Sequence, residues 1–244
     1  DGVYTTDPRI VPKAQRMPRV SYEEMLEMAS LGSKVLQTRS VELAMVHKMR
    51  TRVLSSFVAP DAMKPTTPET WGELGTIVCS EDEIVEKQVV SGVAYAKDEA
   101  KISLLKIADK PGVAAGVFGP LAAANINVDM IVQNISSDGK STDLTFTVQE
   151  SELARTLEVL KAAKREIGYS ELVSSADVVK VSVIGIGMRS HAGVAAQMFQ
   201  ALASKGINIQ AITTSEIKIS VLIDSAYSEL AVRTLHTLFE LDKD

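Results

Sequence analysis

An internal repeat constrains this chain more than any other feature of its sequence. Gly112-Val113-Ala114 recurs 81 residues later as Gly193-Val194-Ala195. At the same offset Phe118 matches Phe199, Leu121 matches Leu202, and Ile126-Asn127 matches Ile207-Asn208. Upstream, Lys101-Ile102-Ser103 matches Lys180-Val181-Ser182 at an offset of 79, so the loops between these blocks differ by two residues. Self-similarity that keeps the apolar positions marks a supersecondary unit used twice.

Hydrophobic spacing predicts the same element order in both copies. In the first, Lys101–Ala108 alternates as a strand, and Gly112–Ala124 has helical spacing through Val113, Val117 and Leu121. Val128–Ile135 and Asp143–Val148 read as strands around the turn Ser137-Asp138-Gly139-Lys140. Ser151–Ile167 reads as one amphipathic helix with Leu153, Leu157 and Leu160 on a face, and Ser170–Ser174 as a last strand. The order is βαββαβ, the split ferredoxin-like unit. The second copy reads as strand Val178–Ile184, helix Gly193–Ser204, strands Ile209–Thr214 and Lys218–Ile223, and helix Ser228–Leu241. No final strand follows. Gln88–Ala96, ahead of the first copy, is strand-like and otherwise unassigned. The economical arrangement uses it to complete the second sheet, so the first copy (98–176) sits inserted in the second (84–97 plus 177–244).

The N-terminal stretch has a different character. Pro8, Pro12 and Pro18 make its opening an ordered loop. Ser21 followed by Glu24 is a capping-box pattern and starts a helix over Tyr22–Ser30. Gly32-Ser33 interrupts it, and a second helix is expected over Val35–Lys48, then a short strand over Val53–Val58. Ala59–Gly75 carries Pro60, Pro65 and Pro68 and reads as a linker. The expected divisions are 1–58 for this first part and 59–83 for the linker. Asp1-Gly2-Val3-Tyr4 reads like the middle of a domain, so the chain is expected to be part of a longer one.

Composition narrows the function classes. The net charge is −5 and the pI about 5.4, so no basic field draws nucleic acid or an anionic membrane. No apolar run reaches the ~20 residues of a membrane span. The single cysteine, Cys79, has no partner for an internal disulfide, which suits a reducing cytoplasm, and its apolar setting reads as a buried small hydrophobe. Ile184-Gly185-Ile186-Gly187 after a strand invites a dinucleotide reading, but the sixth position of that fingerprint is Ser190 and the other copy lacks the glycines.

A pocket for a free amino acid needs an acceptor for the ammonium, N–H donors for the carboxylate and a shaped wall. Asp109 ends a strand and Gly112 opens a helix, whose first N–H groups favour an anion. Asp109 is placed to hold the ammonium, the N–H groups near Val113-Ala114 the carboxylate, and Gln133 a polar side chain. From spacing alone, Asp109-Lys110-Pro111-Gly112 is equally a capped turn. In the second copy the corresponding loop has no aspartate; its acidic candidate is Glu216, beside Ser215. The two sites are therefore expected to differ in ligand or affinity. His191 is as readily a structural histidine at a helix start as a ligand contact.

Asp109-Lys110-Pro111-Gly112-Val113-Ala114, Asn125-Ile126-Asn127-Val128 and Asn208-Ile209 resemble the ACT family of amino-acid-binding regulatory modules. Gly187-Met188-Arg189-Ser190-His191-Ala192-Gly193-Val194, Thr214 to Ser220 and Gln133 to Ser137 resemble the aspartate kinase family in particular. Tyr4 to Arg9 and Glu27 to Leu36 resemble the last segment of that family's amino-acid-kinase domain. The resemblance covers essentially all 244 residues. It implies an α/β (α+β) chain: two ferredoxin-like ACT domains after the remnant of a kinase domain. It further implies effector contacts at Asp109, Gly112, Val113, Ala114, Asn125, Asn127 and Gln133. In the second copy these would be Met188, His191, Val194, Ala195, Asn208, Ile209, Ser215 and Glu216, with lysine or a related effector there.

For the whole enzyme, the resemblance implies ATP and magnesium. Tyr4, Arg9 and Lys34 would lie on the nucleotide side, where a cation offsets charge on the transferring group. No catalytic residue and no metal ligand is expected in this segment, which alone should not phosphorylate anything. Threonine and lysine are the implied effectors. The implied partners are a second copy, paired through the ACT domains, and a kinase domain or full-length kinase chain. Two alternatives remain open at this level: a separately made regulatory subunit, and an ACT module attached to another amino-acid kinase.

Overall fold

The computed structural model describes residues 2–57, 74–84, 88–136 and 139–243. The N-terminal part contains β1 (Arg19–Ser21), α1 (Tyr22–Ser30), α2 (Thr38–Val46), β2 (Thr51–Val53) and β3 (Thr76–Cys79). β3 is the central strand, parallel to β1 and antiparallel to β2. The capping box forms as the sequence predicts: Glu24 N–H donates to Ser21 Oγ at 3.1 Å and Ser21 N–H to Glu24 Oε2 at 3.2 Å. Glu24 is buried, and its other oxygen accepts from Ser91 Oγ at 2.5 Å and Ile186 N–H at 3.0 Å. One capping residue thereby ties α1 to two distant stretches of chain.

Three expectations shift here. The second helix begins at Thr38 rather than Val35, behind Gln37, which makes no side-chain cap. The short strand is Thr51–Val53, earlier than Val53–Val58, and Val58 lies outside the described residues. Within the stretch read as linker, Thr76–Cys79 is a fully buried strand: Val78 joins the α1–α2 core, and Ile77 and Cys79 beside it are buried as well. Burial pushes the Cys79 thiol above its ordinary range. The linker's prolines fall outside the described residues.

The rest of the chain forms β4 (Gly92–Ala108), α3 (Val113–Ala123), β5 (Asp129–Ile135), β6 (Ser141–Gln149), α4 (Leu153–Ala162), α5 (Lys164–Ile167) and β7 (Glu171–Ile184). These are followed by α6 (Val194–Ser204), β8 (Ile209–Thr214), β9 (Lys218–Asp224) and α7 (Ser228–Leu238). The sheet order is β5-β6-β4-β7-β9-β8. Runs read as separate strands are continuous: β4 has 17 residues and β7 has 14. The C-terminal half of β4 pairs with β6 and with Glu171–Ser175, making the first repeat's sheet. Gly92–Ala96 pairs with Lys180–Ile184 and gives the second repeat its fourth strand. Each repeat keeps its own core. Phe146, Ile102 and Leu121 are buried in the first, and Val181, Met198 and Leu235 in the second.

The helix expected over 151–167 is two pieces that meet at Ala163, after a 3₁₀ turn at Glu150–Glu152. Thr156 shares the buried face with Leu160, and its hydroxyl donates to the Glu152 carbonyl at 2.7 Å, which offsets the cost of burying it. Helix ends repeat faithfully. Asn125 and its counterpart Gly206 both take positive φ, 55° and 69°. Ile126 and Ile207 N–H return to Leu121 and Leu202. Gly185 and Gly187 have a packing reason: a Cβ there would lie 2.4 Å from the Val89 carbonyl and 2.5 Å from that of Gln88. Part of the predicted turn, Ser137 and Asp138, lies outside the described residues.

Where the repeats meet, Lys180 is buried against Glu99 and lies 2.6 Å from Asp129 Oδ2. Burial alone would lower the lysine, but the two carboxylates outweigh it and hold the ammonium above its ordinary value. The counterpart contact is Lys101 Nζ donating to Gln210 Oε1 at 2.6 Å. Each first-strand lysine therefore reaches the hairpin of the other repeat. Replacing Lys180 by methionine leaves Glu99 buried without its partner and is expected to cost about 3 kcal/mol. Urea denaturation checks this, and adding Glu99→Met should recover part of the loss.

On α7, His236 is buried with Nε2 2.9 Å from Thr5 Oγ1. Burial depresses its pKa, while Asp242 pulls weakly the other way. A depressed histidine favours the folded state above its ordinary value of 6.5 and withdraws that stability as pH falls below it. Melting temperatures between about pH 8 and 5.5 should therefore drop on the acid side, and His236→Gln should flatten that part of the profile.

Candidate functional site

A cavity of about 570 Å³ lies between the N-terminal part and the second repeat. It brings together Tyr4, Arg9 and Lys34, the three residues expected on the nucleotide side. The opening loop shapes it. Asp7 receives Arg9 Nε at 3.0 Å and the second guanidinium edge nitrogen at 2.8 Å, and its Oδ1 also takes the Arg9 N–H at 2.9 Å. The Arg9 guanidinium beside Asp7 holds that carboxyl below the usual range, against the opposite pull of burial. Held from one edge, the guanidinium keeps its far side free, and the arginine side chain is 86% exposed. Lys34 is exposed on the same cavity.

Thr6 adds a feature the sequence reading missed. Its hydroxyl is buried, lines the cavity and has no protein partner. Three accessible cations, Arg9, Lys34 and Lys97, and an unsatisfied hydroxyl around one hollow suit an oxyanion-rich ligand such as a polyphosphate. The opposite wall is β4, with Tyr95, Lys97 and Asp98. Nothing in local sequence could place a strand 90 residues away there. Among the described residues no group of three or more His, Cys, Asp or Glu side chains could hold a metal ion.

The two repeats each present an open helix start. Gly112 has φ 95° and Gly193 φ 101°, both left-handed, and a Cβ on either would meet nothing within 4 Å. Asp109, Gly112 and Ala114 are exposed, whereas Val113 is buried as the first core residue of α3. The exposed Gln133 is on β5 at the same end of the repeat, since Ile135 and Ile107 both pair with Thr142. Asn125 and Asn127 are at the other end of α3, about 16 Å of helix away. Asn125 there is the left-handed turn residue.

The second repeat divides the same way. His191 is exposed, with Nδ1 2.8 Å from the Gly187 carbonyl, and Met188 is half-buried. Arg189 reaches across to Glu216 at 3.4 Å, linking the loop to the exposed Ser215-Glu216 turn. Val194 is buried and Ala195 half-buried on α6, while Asn208 and Ile209 lie beyond its far end.

Comparison with known proteins gives the family of each part. The ACT domain family matches residues 102–165 and 181–239, and the amino acid kinase family matches residues 1–55. An aspartokinase of Pseudomonas aeruginosa is 52% identical over 242 residues, covering 99% of this chain and 56% of that protein. The chain thus spans about half the length of the curated relatives it matches. The solved aspartokinase alpha and beta subunits are 50% identical, with a TM-score of 0.59 over 62% of this chain and 99% of that one. The ligand-free regulatory subunit of aspartate kinase from Thermus thermophilus is 44% identical, with a TM-score of 0.59 over the same shares. The chain belongs to the aspartate kinase family, in which it spans the end of an amino acid kinase domain and two ACT domains.

Proposed function

We propose that this chain acts as the regulatory segment of an aspartate kinase and binds end-product amino acids that inhibit the kinase. The complete enzyme would transfer the γ-phosphoryl of ATP, with magnesium, to the β-carboxylate of aspartate. The product, 4-phospho-L-aspartate, opens the route to lysine, threonine and methionine. Threonine and lysine are the effectors, and the protein works in the cytoplasm. No helix among the described residues is long and apolar enough to cross a membrane.

The observation that supports this most is the pair of open helix starts, each beside its own polar set: Asp109 and Gln133 in one, His191, Ser215 and Glu216 in the other. A ligand that brings both an ammonium and a carboxylate fits such a junction. At the cavity, Tyr4, Arg9, Lys34 and the Thr6 hydroxyl would take the nucleotide's phosphates, and the magnesium would arrive with them. Effector binding is regulation only if the two states of the enzyme bind effector unequally, by typically ~1–3 kcal/mol.

The assembly we propose is a symmetric dimer through the ACT repeats, and the sheet edges support it. β5 and β8 end the sheet, and Ile131 and Ile135 on one and Ile212 on the other are exposed. Edges of that kind pair with another copy. The Thermus regulatory subunit matches only 62% of this chain, and the kinase-like opening residues favour a segment of a kinase over a free-standing subunit.

Titration calorimetry with threonine and with lysine should give heat for both amino acids; heat from neither removes the reading. Gly112→Ala places a Cβ in left-handed backbone and is expected to cost about 1–2 kcal/mol in thermal unfolding. It should also remove one of the two binding heats and leave the other, with Gly193→Ala doing the reverse.

A further inference from the structure

The loop Tyr4–Arg9 belongs to the kinase-like part, yet much of what holds it comes from the second ACT repeat. On one side, Tyr95 from β4 donates its hydroxyl to Asp7 Oδ2 at 3.2 Å. Asp7 in turn grips the Arg9 guanidinium along one edge, as described above. Two residues away on the same strand, Val93 N–H donates to the Thr5 carbonyl at 2.7 Å. On the other side, the Thr5 hydroxyl meets His236 Nε2 at 2.9 Å and the Leu241 carbonyl at 3.4 Å, both from the end of the second repeat. If the hydroxyl donates to Leu241, it accepts from His236, so one hydroxyl serves both contacts.

These contacts bear on the cavity's cations. Arg9 is 86% exposed, and a long side chain so placed would sample many rotamers without a fixed partner. Its orientation is set by Asp7, and Asp7 has Tyr95 as its second side-chain donor. The phenol lines the same cavity, so the chain from repeat to cation is two hydrogen bonds long. Tyr95 also lies next to the irregular stretch of β4 between Ala96 and Glu99, where the strand passes from one repeat to the other. Glu99 there holds the buried Lys180. A change in how the repeats sit against each other is therefore delivered within a few residues of Tyr95.

We propose that Tyr95 and His236 are positioning residues for the kinase-like loop. Tyr95 holds Asp7 and through it Arg9, and His236 holds Thr5, so that the second repeat sets the shape presented to a polyphosphate. This deepens the function proposed above and rests on the reading of the cavity as a nucleotide site.

Two measurements on Tyr95→Phe test it. The substitution keeps the ring and removes only the hydroxyl. In the complete kinase, KM for ATP should rise about three- to tenfold, the size of a lost hydrogen bond to a charged group acting through one intermediary. KM for aspartate should stay where it was. His236→Leu should act in the same direction, and His236→Gln, which restores an N–H donor, should recover much of the effect. In the chain as it stands, hydrogen exchange of the amides of residues 4–11 should quicken in Tyr95→Phe while β6 and β9 keep their protection.

An unchanged ATP KM together with unchanged loop exchange overturns the proposal. A wild-type enzyme that fails to phosphorylate aspartate removes the functional reading instead, and the exchange measurement then decides the positioning role by itself. Should Tyr95→Phe not fold, Asp7→Asn breaks the same link from the other end and must quicken the same amides; protection left intact there overturns the proposal as well.

Discussion

Two long strands carry the whole arrangement. β4 and β7 run antiparallel for most of their length, and each serves both repeats: the C-terminal half of β4 and the N-terminal half of β7 complete one sheet, and their other halves complete the next. A ferredoxin-like unit needs four strands, and the second repeat has its fourth only through the N-terminal end of β4, Gly92–Ala96. The ladder of backbone hydrogen bonds along this ribbon therefore joins the two units more firmly than a linker can. Movement of one repeat against the other must act through the irregular positions in the ribbon, between Ala96 and Lys101, where the register shifts.

The ribbon also explains why charge is buried at its centre. Lys180 leaves the strand beside that irregularity and finds Glu99 on the paired strand and Asp129 on the first repeat's hairpin. Its repeat counterpart Lys101 reaches Gln210 in the mirrored direction. The two contacts are related by the same internal symmetry as the sequence. One is a charged trio that is partly buried and the other an exposed hydrogen bond from a single lysine to a neutral amide, so the junction is symmetric in geometry and asymmetric in energy.

The kinase-like part is seated on this frame rather than strung from it. Glu24 caps α1 and reaches Ser91 and Ile186, while Thr5 reaches His236 and the Val93 amide. These are buried polar contacts, and an unmatched partner in any of them would cost desolvation without return. That makes the seating specific. It also means the cavity walls belong to two parts of the chain, one kinase-like and one from the second ACT repeat.

Most of the fold was legible because its signals are local. The capping box at Ser21 and Glu24, the apolar spacing of Val113, Val117 and Leu121, and the offset between Gly112 and Gly193 each act within a turn or two of helix or across an exact repeat. Tyr4, Arg9 and Lys34, which the resemblance groups together, share one cavity. Where the reading went astray, a distant partner had decided. Thr76–Cys79 looks like the end of a linker until β1 and β2 flank it. Asn125, besides its expected place among the effector contacts, turns the chain at the end of α3 with a positive φ that local sequence did not announce.

The sequence by itself determined that a unit occurs twice, where α1, α3, α6 and α7 begin and which faces are apolar, since periodicity and capping need only neighbouring residues. Only the tertiary structure decided that the strands of the two units are continuous, that Lys180 is buried between carboxylates, and that Tyr95 and His236 face the opening loop. Those facts depend on pairings between residues up to 231 positions apart, such as Thr5 with His236, whose free energy exists only once both surfaces have been brought together.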